Sequence, residues 1–255
     1  MTARKMNREM KHVVVLASAL AAMPVLAETP RLVDGESFTY ELYLKQGFVT
    51  VKAGKAYLAA KESERGLFEA TLALKASAAV ELVYHLDVLM KTRLTAGLKP
   101  LRFEKHAEEG RRVYDEVSVF SYPAGRGCAV SSRRTFAGGK TDVGDTRRSG
   151  QVFDLVSLIF HARRLDVARL KPGSRLDVPV VSGVKVRDQA LVYRGEEVVE
   201  AADGAKVKAG VFALLSKEGN ETARFAFSLA GGRIPQRIDI SLKFGSVSAR
   251  LCPKP

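Results

Sequence analysis

Apolar and polar residues alternate along most of the chain, which is the pattern of half-buried β-strands. The first clear run has its apolar positions at Phe38, Tyr40, Leu42 and Leu44. Further alternating runs cover residues 68–75, 80–90, 101–105, 113–120, 175–181, 190–194, 207–215, 224–229 and 237–244. Turns that contain glycine or proline separate them at short intervals. This succession predicts a mainly β fold, a curved antiparallel sheet or an incomplete β-barrel.

One segment departs from this pattern and has the apolar spacing of a helix, at about residues 151–165. Its broad apolar face consists of Val152, Phe153, Leu155, Val156, Leu158, Ile159 and Phe160. A face this wide favours a helix that packs against the sheet. Ser149 or Asp154 is the expected N-terminal cap. Arg163 and Arg164 lie near the C-terminal end, where the helix dipole favours cations.

The same segment places Asp154, Ser157 and His161 in a row, which raises the question of a catalytic triad. In a triad the acid orients the imidazole from its far side. Seven residues of helix separate Asp154 from His161 by about 10 Å along the axis, so the aspartate neighbours the serine instead. We therefore predict no catalytic residues and a protein that is not an enzyme, with a hydrolase as a remote alternative.

A polar stretch precedes the predicted helix. Residues 133–150 are rich in Gly, Arg, Asp and Ser, which is typical of a loop. Long loops within compact domains are often functional or mobile. The pattern leaves open whether this segment closes over anything.

The N-terminus has the pattern of a secretory signal peptide. Four basic residues precede an apolar run at 13–22, and small residues follow up to Ala27. The run is shorter than the roughly 20 residues that span a bilayer. We predict cleavage after residue 27, a single β-rich domain over residues 28–255 without a transmembrane segment, and a periplasmic location in a Gram-negative bacterium.

The chain is basic, with 41 Lys and Arg against 28 Asp and Glu. It has four Arg-Arg pairs, at 111–112, 133–134, 147–148 and 163–164. This charge points to an acidic partner. We take Arg147, Arg148, Arg163 and Arg164 as candidate ligand-binding residues. Neighbours on a strand face opposite sides, however, so an ordinary solvated basic surface stays an alternative. The absence of tryptophan, and of aromatic residues among the basic ones, argues against nucleic acid.

Cofactor and metal motifs are missing from the sequence. No dinucleotide fingerprint or complete phosphate loop occurs, so we expect no cofactor. His85, His106 and His161 have no ligand spacing, and we expect no metal. Cys128 and Cys252 form either a disulfide, which an oxidising compartment permits, or two separate thiols.

Three groups of residues resemble a known family. They are the opening GESFTYEL at 35–42 with VKAGKA at 51–56, the helical FDLVSL at 153–158, and the closing RIPQRI at 233–238 with FGSVSARL at 244–251. In this order they are similar to the bacterial exported proteins of domain-of-unknown-function family 3108 (DUF3108). The resemblance implies a β-rich envelope protein, and it brings no activity and no catalytic residues.

Location, charge and fold together suggest binding without catalysis. The first hypothesis is a periplasmic binder of lipid, glycolipid or other anionic envelope material, by analogy with half-barrel lipoprotein carriers. The alternative is a structural or scaffolding protein that contacts an envelope protein or an acidic polysaccharide. The first hypothesis expects an apolar cavity inside the sheet. The second expects a packed interior with an exposed patch or a free strand edge.

Overall fold

A computed structural model describes residues 32–124, 127–229, 232–242 and 245–253. The predicted signal peptide, residues 1–27, lies outside the described residues. The strands of the first half are β1 (Glu36–Gln46), β2 (Val49–Glu64), β3 (Leu67–Ala76), β4 (Leu86–Thr95), β5 (Pro100–Glu109), β6 (Arg112–Ser121), β7 (Cys128–Phe136) and β8 (Thr141–Arg148). Those of the second half are β9 (Arg175–Asp177), β10 (Val180–Ser182), β11 (Lys185–Arg187), β12 (Gln189–Glu200), β13 (Lys206–Ser216), β14 (Glu221–Ser228), β15 (Pro235–Leu242) and β16 (Gly245–Leu251).

Helical structure in the described residues is limited. It consists of α1 (Ala78–Glu81), α2 (Leu155–Arg164) and one 3-10 turn (Val167–Arg169). The helix predicted at 151–165 is confirmed as α2, and it begins later than expected because residues 152–153 are extended. Phe153 pairs there with Val180 in a parallel bridge. No helix in the described ranges has both the length and the apolar character needed to cross a membrane.

Fourteen strands form one antiparallel sheet, in the order β8-β7-β6-β5-β4-β3-β2-β1-β16-β15-β14-β13-β12-β9. Consecutive strands pair from β1 to β8 and again from β12 to β16, and the pairing of β1 with β16 joins these two meanders. In the described part of the chain, no strand pairing joins β8 to β9. The sheet is therefore large and open, which confirms the prediction of a mainly β fold with a curved sheet.

The hairpin β10–β11 approaches edge strand β8 without pairing with it. A Cβ atom added to Gly144 of β8 would lie 2.0 Å from the carbonyl oxygen of Val184, which only glycine permits. Arg148 of β8 contacts Asp188 at 3.4 Å. We call this contact between β8 and the β10–β11 hairpin the seam. It lies where a closed barrel would have a ladder of backbone hydrogen bonds between strands.

Helix α2 packs inside the curved sheet. The side chains of Val156, Leu158 and Ile159 are completely buried. They belong to a core cluster to which strands of both meanders contribute. Burial of a continuous apolar face explains why a ten-residue helix persists among strands, since so short a helix is marginal in water.

Two parts of the predicted pattern are wrong. Residues 133–150 are not a loop, because most of them form the β7–β8 hairpin. Their alternation was hidden because edge strand β8 is polar on both faces, and its order comes from backbone pairing with β7. The run at 80–90 is not one strand either. β3 ends at Ala76, and α1 with residues 82–85 reverses the chain before β4 begins.

Candidate functional site

The predicted row of Asp154, Ser157 and His161 is a helix cap. Asp154 is completely buried at the N-cap of α2, and its carboxylate accepts a hydrogen bond from the backbone N–H of Ser157 at 3.0 Å. The hydroxyl of Ser157 in turn accepts one from the backbone N–H of Asp154 at 2.9 Å. The second carboxylate oxygen accepts a hydrogen bond from Thr92 on β4 at 2.7 Å. Of the two expected caps, Asp154 is the one that forms.

His161 lies apart from this cap. Its ring packs against Phe153, with 4.6 Å between ring centroids. Burial, together with the nearby charge of Arg164, lowers the pKa of His161 to about 4. Among the described residues, no hydrogen bond joins His161 to Ser157. At neutral pH His161 is thus an uncharged packing residue.

Asp154→Ala is expected to lower the free energy of unfolding by about 2–3 kcal/mol, because it removes the cap and leaves the buried Thr92 hydroxyl without its partner. Asp154→Asn is the matched control and is expected to cost less. It keeps an acceptor oxygen and removes a carboxyl group whose pKa is raised by burial. Urea unfolding of both variants measures the difference, and equal losses would contradict the role of the cap.

Arg163, one of the predicted ligand contacts, is a buried residue with structural contacts. Only 5% of its side chain is exposed, and Nη1 donates to Glu36 at 2.7 Å. Nε donates to the carbonyl oxygen of Gly232 at 2.8 Å. The guanidinium also lies over the ring of Phe38. Arg163 therefore fixes the C-terminal end of α2 to the start of β1.

The other three candidate arginines do not form one site together with Arg163. Arg147 is exposed on edge strand β8 and Arg148 is half-buried beside Asp188. Arg164 is half-buried and contributes to the environment of His161. Neighbouring arginines thus face different surroundings, as strand geometry requires for those on β8.

Of the two alternatives left open for Cys128 and Cys252, the structure has two separate thiols. Cys128 begins β7 and Cys252 follows β16, and strands β6 to β1 lie between β7 and β16 in the sheet. Burial raises the pKa of the Cys128 thiol.

Exposed apolar side chains gather at one end of the strands. They form the apolar rim, defined as Phe48, Val49, Val51, Leu82, Val83, Tyr84 and Leu242. Phe48 is fully exposed, and Leu82 and Val83 are 89% and 88% exposed. The turns at the opposite end of β2–β5 carry mostly small or charged exposed residues, such as Arg65 and Lys99. Single exposed apolar residues are ordinary, but a group on adjacent loop tips marks an interaction surface.

Strand register explains why these tips project together. β2 pairs with β3 only from Gly54 onward, so residues 49–52 extend past the end of β3 and pair with β1 alone. Leu242 lies on the adjoining hairpin, because β16 pairs with the other side of β1. The chain after β3 then turns through α1 and presents Leu82, Val83 and Tyr84 at the same end. Three neighbouring connections thereby carry the apolar rim.

Basic side chains surround the apolar rim. Lys45, Lys52 and Lys55 are exposed on the β1–β2 hairpin, and Lys52 forms an ion pair with Glu41. The exposed pair at 111–112 follows Gly110, and a Cβ atom added to that glycine would lie 3.0 Å from the ring of Tyr84. One of the four Arg-Arg pairs thus adjoins the apolar rim.

A chain of titratable groups lies beneath the apolar rim, and we call it the histidine cluster: Glu81, His85, Glu108, His106 and Asp115. The ring of His85 contacts Glu81 through Nδ1 and Glu108 through Nε2, the latter at 2.6 Å. The ring of His106 contacts Asp115 at 2.8 Å and Glu108 at 3.4 Å. Glu108 therefore links the two imidazoles.

Protonation of His85 and His106 lets each ring donate a hydrogen bond to both of its carboxylate partners. A neutral imidazole has one N–H, so a ring whose two nitrogens both face carboxylates donates to both only as imidazolium. Hydrogen bonding to Glu108 and then Glu81 raises the pKa of His85. Hydrogen bonding to Asp115 and then Glu108 raises the pKa of His106. Among the described residues, no group of three or more His, Cys, Asp or Glu side chains is placed to hold a metal ion.

A shallow depression of about 380 Å³ adjoins the histidine cluster on the outer face of β4–β6. Leu89, Lys91, Glu104, Lys105, His106, Asp115, Glu116 and Val117 line it. Six of the eight lining residues are ionisable and carry charges of both signs, so the depression does not resemble an apolar ligand pocket.

Sequence reasoning missed both the apolar rim and the histidine cluster. The spacing of His85 and His106 along the chain suggested no site. Pairing of β4 with β5 sets Leu89 opposite His106 and Asp87 opposite Glu108, which brings the two histidines together. The hairpin register was the signal that could have revealed the cluster. For the apolar rim, the signal was the pair of apolar tips at 48–51 and 82–84.

Comparison with solved structures agrees with the architecture. A β-barrel-like protein of family DUF1849 from Brucella abortus has a TM-score of 0.59 at 13% identity, over 87% of this chain and 97% of that one. A DUF1089 family protein from Pseudomonas aeruginosa has a TM-score of 0.36 at 14% identity, over 76% of this chain and 94% of that one. The first of these similarities supports a barrel-like fold.

Comparison of sequences gives the family. No curated protein matches the chain. The family described as "Protein of unknown function (DUF3108)" matches residues 39–251, from β1 to the end of β16. This span includes the resembling segments in the helix and in the last two strands. The chain therefore belongs to the DUF3108 family.

Proposed function

We propose that this protein is a non-enzymatic binder of anionic lipid or glycolipid surfaces in the periplasm. The apolar rim is the observation that carries this proposal, since several neighbouring loop tips expose large apolar side chains to water. The N-terminal sequence pattern and the basic charge support the envelope location and the anionic partner.

The energetics favour insertion of the tips into a lipid interface. Burying a Phe, Leu or Val side chain contributes about 1.5–3 kcal/mol. Phe48, Leu82 and Val83 together therefore supply at least about 4 kcal/mol, which corresponds to millimolar affinity. Each lysine near an anionic surface adds about 1 kcal/mol. Lys45 and Lys55 on the projecting hairpin therefore make the expected affinity stronger than millimolar.

The packed interior favours binding to a lipid surface over binding of a lipid molecule inside the sheet. Side chains of α2 occupy the centre of the concave face, and Phe160 is only 1% exposed. A lipid chain would compete with these packed side chains for the same space. Loop tips that are already exposed need no such rearrangement.

Loss of two apolar tip residues is expected to weaken lipid binding at least about a hundredfold, since each buried side chain is worth about 1.5 kcal/mol or more. The test uses protein exported with its own leader and purified without detergent. Co-sedimentation with phosphatidylglycerol vesicles and with zwitterionic vesicles compares the wild type with a Phe48→Ser/Leu82→Ser double variant.

Val143→Ser/Val198→Ser is the matched control, because these residues are 67% and 65% exposed but lie outside the apolar rim. The control is expected to bind as the wild type does. Absence of binding to anionic vesicles would refute the proposal, as would equal binding by both double variants. If crosslinks from the apolar rim led to an envelope protein instead of lipid, the scaffolding alternative would replace it.

A further inference from the structure

We infer that the histidine cluster makes lipid binding at the apolar rim dependent on pH, with protonation of His85 and His106 strengthening it. This inference rests on the proposed function and concerns regulation of the same surface. It would make the protein a stronger binder in acidic surroundings than in alkaline ones.

The histidine cluster is joined directly to one of the apolar tips. Glu81 is the last residue of α1, and His85 follows the three exposed residues 82–84. The contact between Glu81 and His85 therefore spans the base of this tip. The carbonyl oxygen of His85 also accepts a hydrogen bond from Gly110 at 2.8 Å, and the ring of Tyr84 lies against Gly110. A change at His85 acts at the point where the tip is held.

Deprotonation changes this tip in two ways. A neutral His85 cannot donate to both Glu81 and Glu108, so one anchor of residues 82–84 is lost. Charge changes as well, because three carboxylates are balanced by two imidazolium groups at low pH and by none at high pH. The cluster then passes from a net charge of about −1 to about −3 beside an anionic surface. Both changes weaken binding.

Lysine, arginine and carboxylate side chains surround the histidine cluster. The charged groups around the histidine cluster are Lys75 and Asp87 on β3 and β4, the arginines at 111–112, and, in the depression, Lys91, Glu104, Lys105 and Glu116. Carboxylate side chains ordinarily titrate near pH 4 and lysine side chains above pH 10, outside the interval from about pH 5.5 to 8.5. The change in this interval falls on the two histidines.

The direction follows from the raised pKa of both histidines. A group with a raised pKa in the folded protein makes its full contribution below its ordinary value of 6.5, and loses it as pH rises through the folded value. The contacts of the imidazolium forms are therefore complete in mildly acidic solution. They disappear progressively above pH 6.5.

The test measures partitioning of the full exported protein onto phosphatidylglycerol vesicles at pH 5.5 and at pH 8.5, at constant ionic strength. The lipid charge is constant over this interval. Wild-type affinity is expected to fall about twenty-five-fold at the higher pH, given about fivefold for each of the two unit charges near an anionic surface. His85→Gln/His106→Gln is expected to bind with little dependence on pH.

Glu104→Gln is the matched control, because it removes an exposed charge beside the histidine cluster and leaves both histidines in place. It is expected to keep the pH dependence. His106→Gln alone serves if the double variant does not fold, and it is expected to reduce the dependence by about half. Wild-type binding that is equal at both pH values would overturn this inference and leave the proposed function standing. Unchanged pH dependence in the histidine variants would also overturn it, whereas no binding at either pH would refute the proposed function itself.

Discussion

Arg163→Ala is expected to lower the free energy of unfolding by about 3–5 kcal/mol, which is the usual cost of removing one partner of a buried ion pair. The side chain of Glu36 is only 8% exposed, so its carboxylate would stay buried without its partner. The carbonyl oxygen of Gly232 would lose its donor at the same time. Chemical denaturation with urea measures this loss.

Arg164→Ala is the matched control for this experiment. Arg164 carries the same charge one residue later but is half-buried. Its replacement is expected to change the free energy of unfolding by less than about 1 kcal/mol. Similar losses in the two variants would show that Arg163 acts through general charge and not through its buried contacts.

Phe160→Ala is expected to cost about 3–5 kcal/mol, because it opens a cavity where α2 meets the curved sheet. The wild-type ring is 1% exposed and belongs to the main core cluster. The midpoint of urea unfolding should fall accordingly. Phe48→Ala removes the same group from a fully exposed position and is expected to leave stability nearly unchanged.

These two phenylalanine variants also separate stability from binding. Phe48→Ala is expected to reduce binding to anionic vesicles while the protein stays folded. A large loss of stability in Phe48→Ala would mean that the tip of the β1–β2 hairpin packs against other residues. The apolar rim would then no longer be a free surface.

The fold was predictable where one face of an element is apolar. Alternation at Phe38, Tyr40 and Leu42 identified β1 because those side chains reach the core and their neighbours do not. The wide apolar stripe identified α2 for the same reason. Edge strand β8 was missed because neither of its faces is apolar, so only hydrogen bonds to β7 define it.

The candidate site was less predictable because tertiary placement decides its properties. Arg163 and Arg164 are identical in sequence terms, yet only Arg163 is buried against Glu36. The histidines at 85 and 106 become neighbours only through the register of β4 and β5. Leu82 fits an alternating strand pattern, but β3 ends at Ala76 and leaves Leu82 on an exposed turn. Residue spacing alone contains none of this information.

The seam at β8 also determines how the molecule responds to fluctuations. Elsewhere along the sheet, separating two neighbouring strands breaks a ladder of backbone hydrogen bonds at once, which makes opening strongly cooperative. At the seam, the contact of Gly144 with Val184 and the ion pair of Arg148 with Asp188 give way without breaking a ladder. The wall of the molecule therefore resembles a split cylinder, which can widen at one slit while the rest of the sheet stays intact. Backbone amides of β8 that face this slit should exchange with solvent much faster than those bonded to β7.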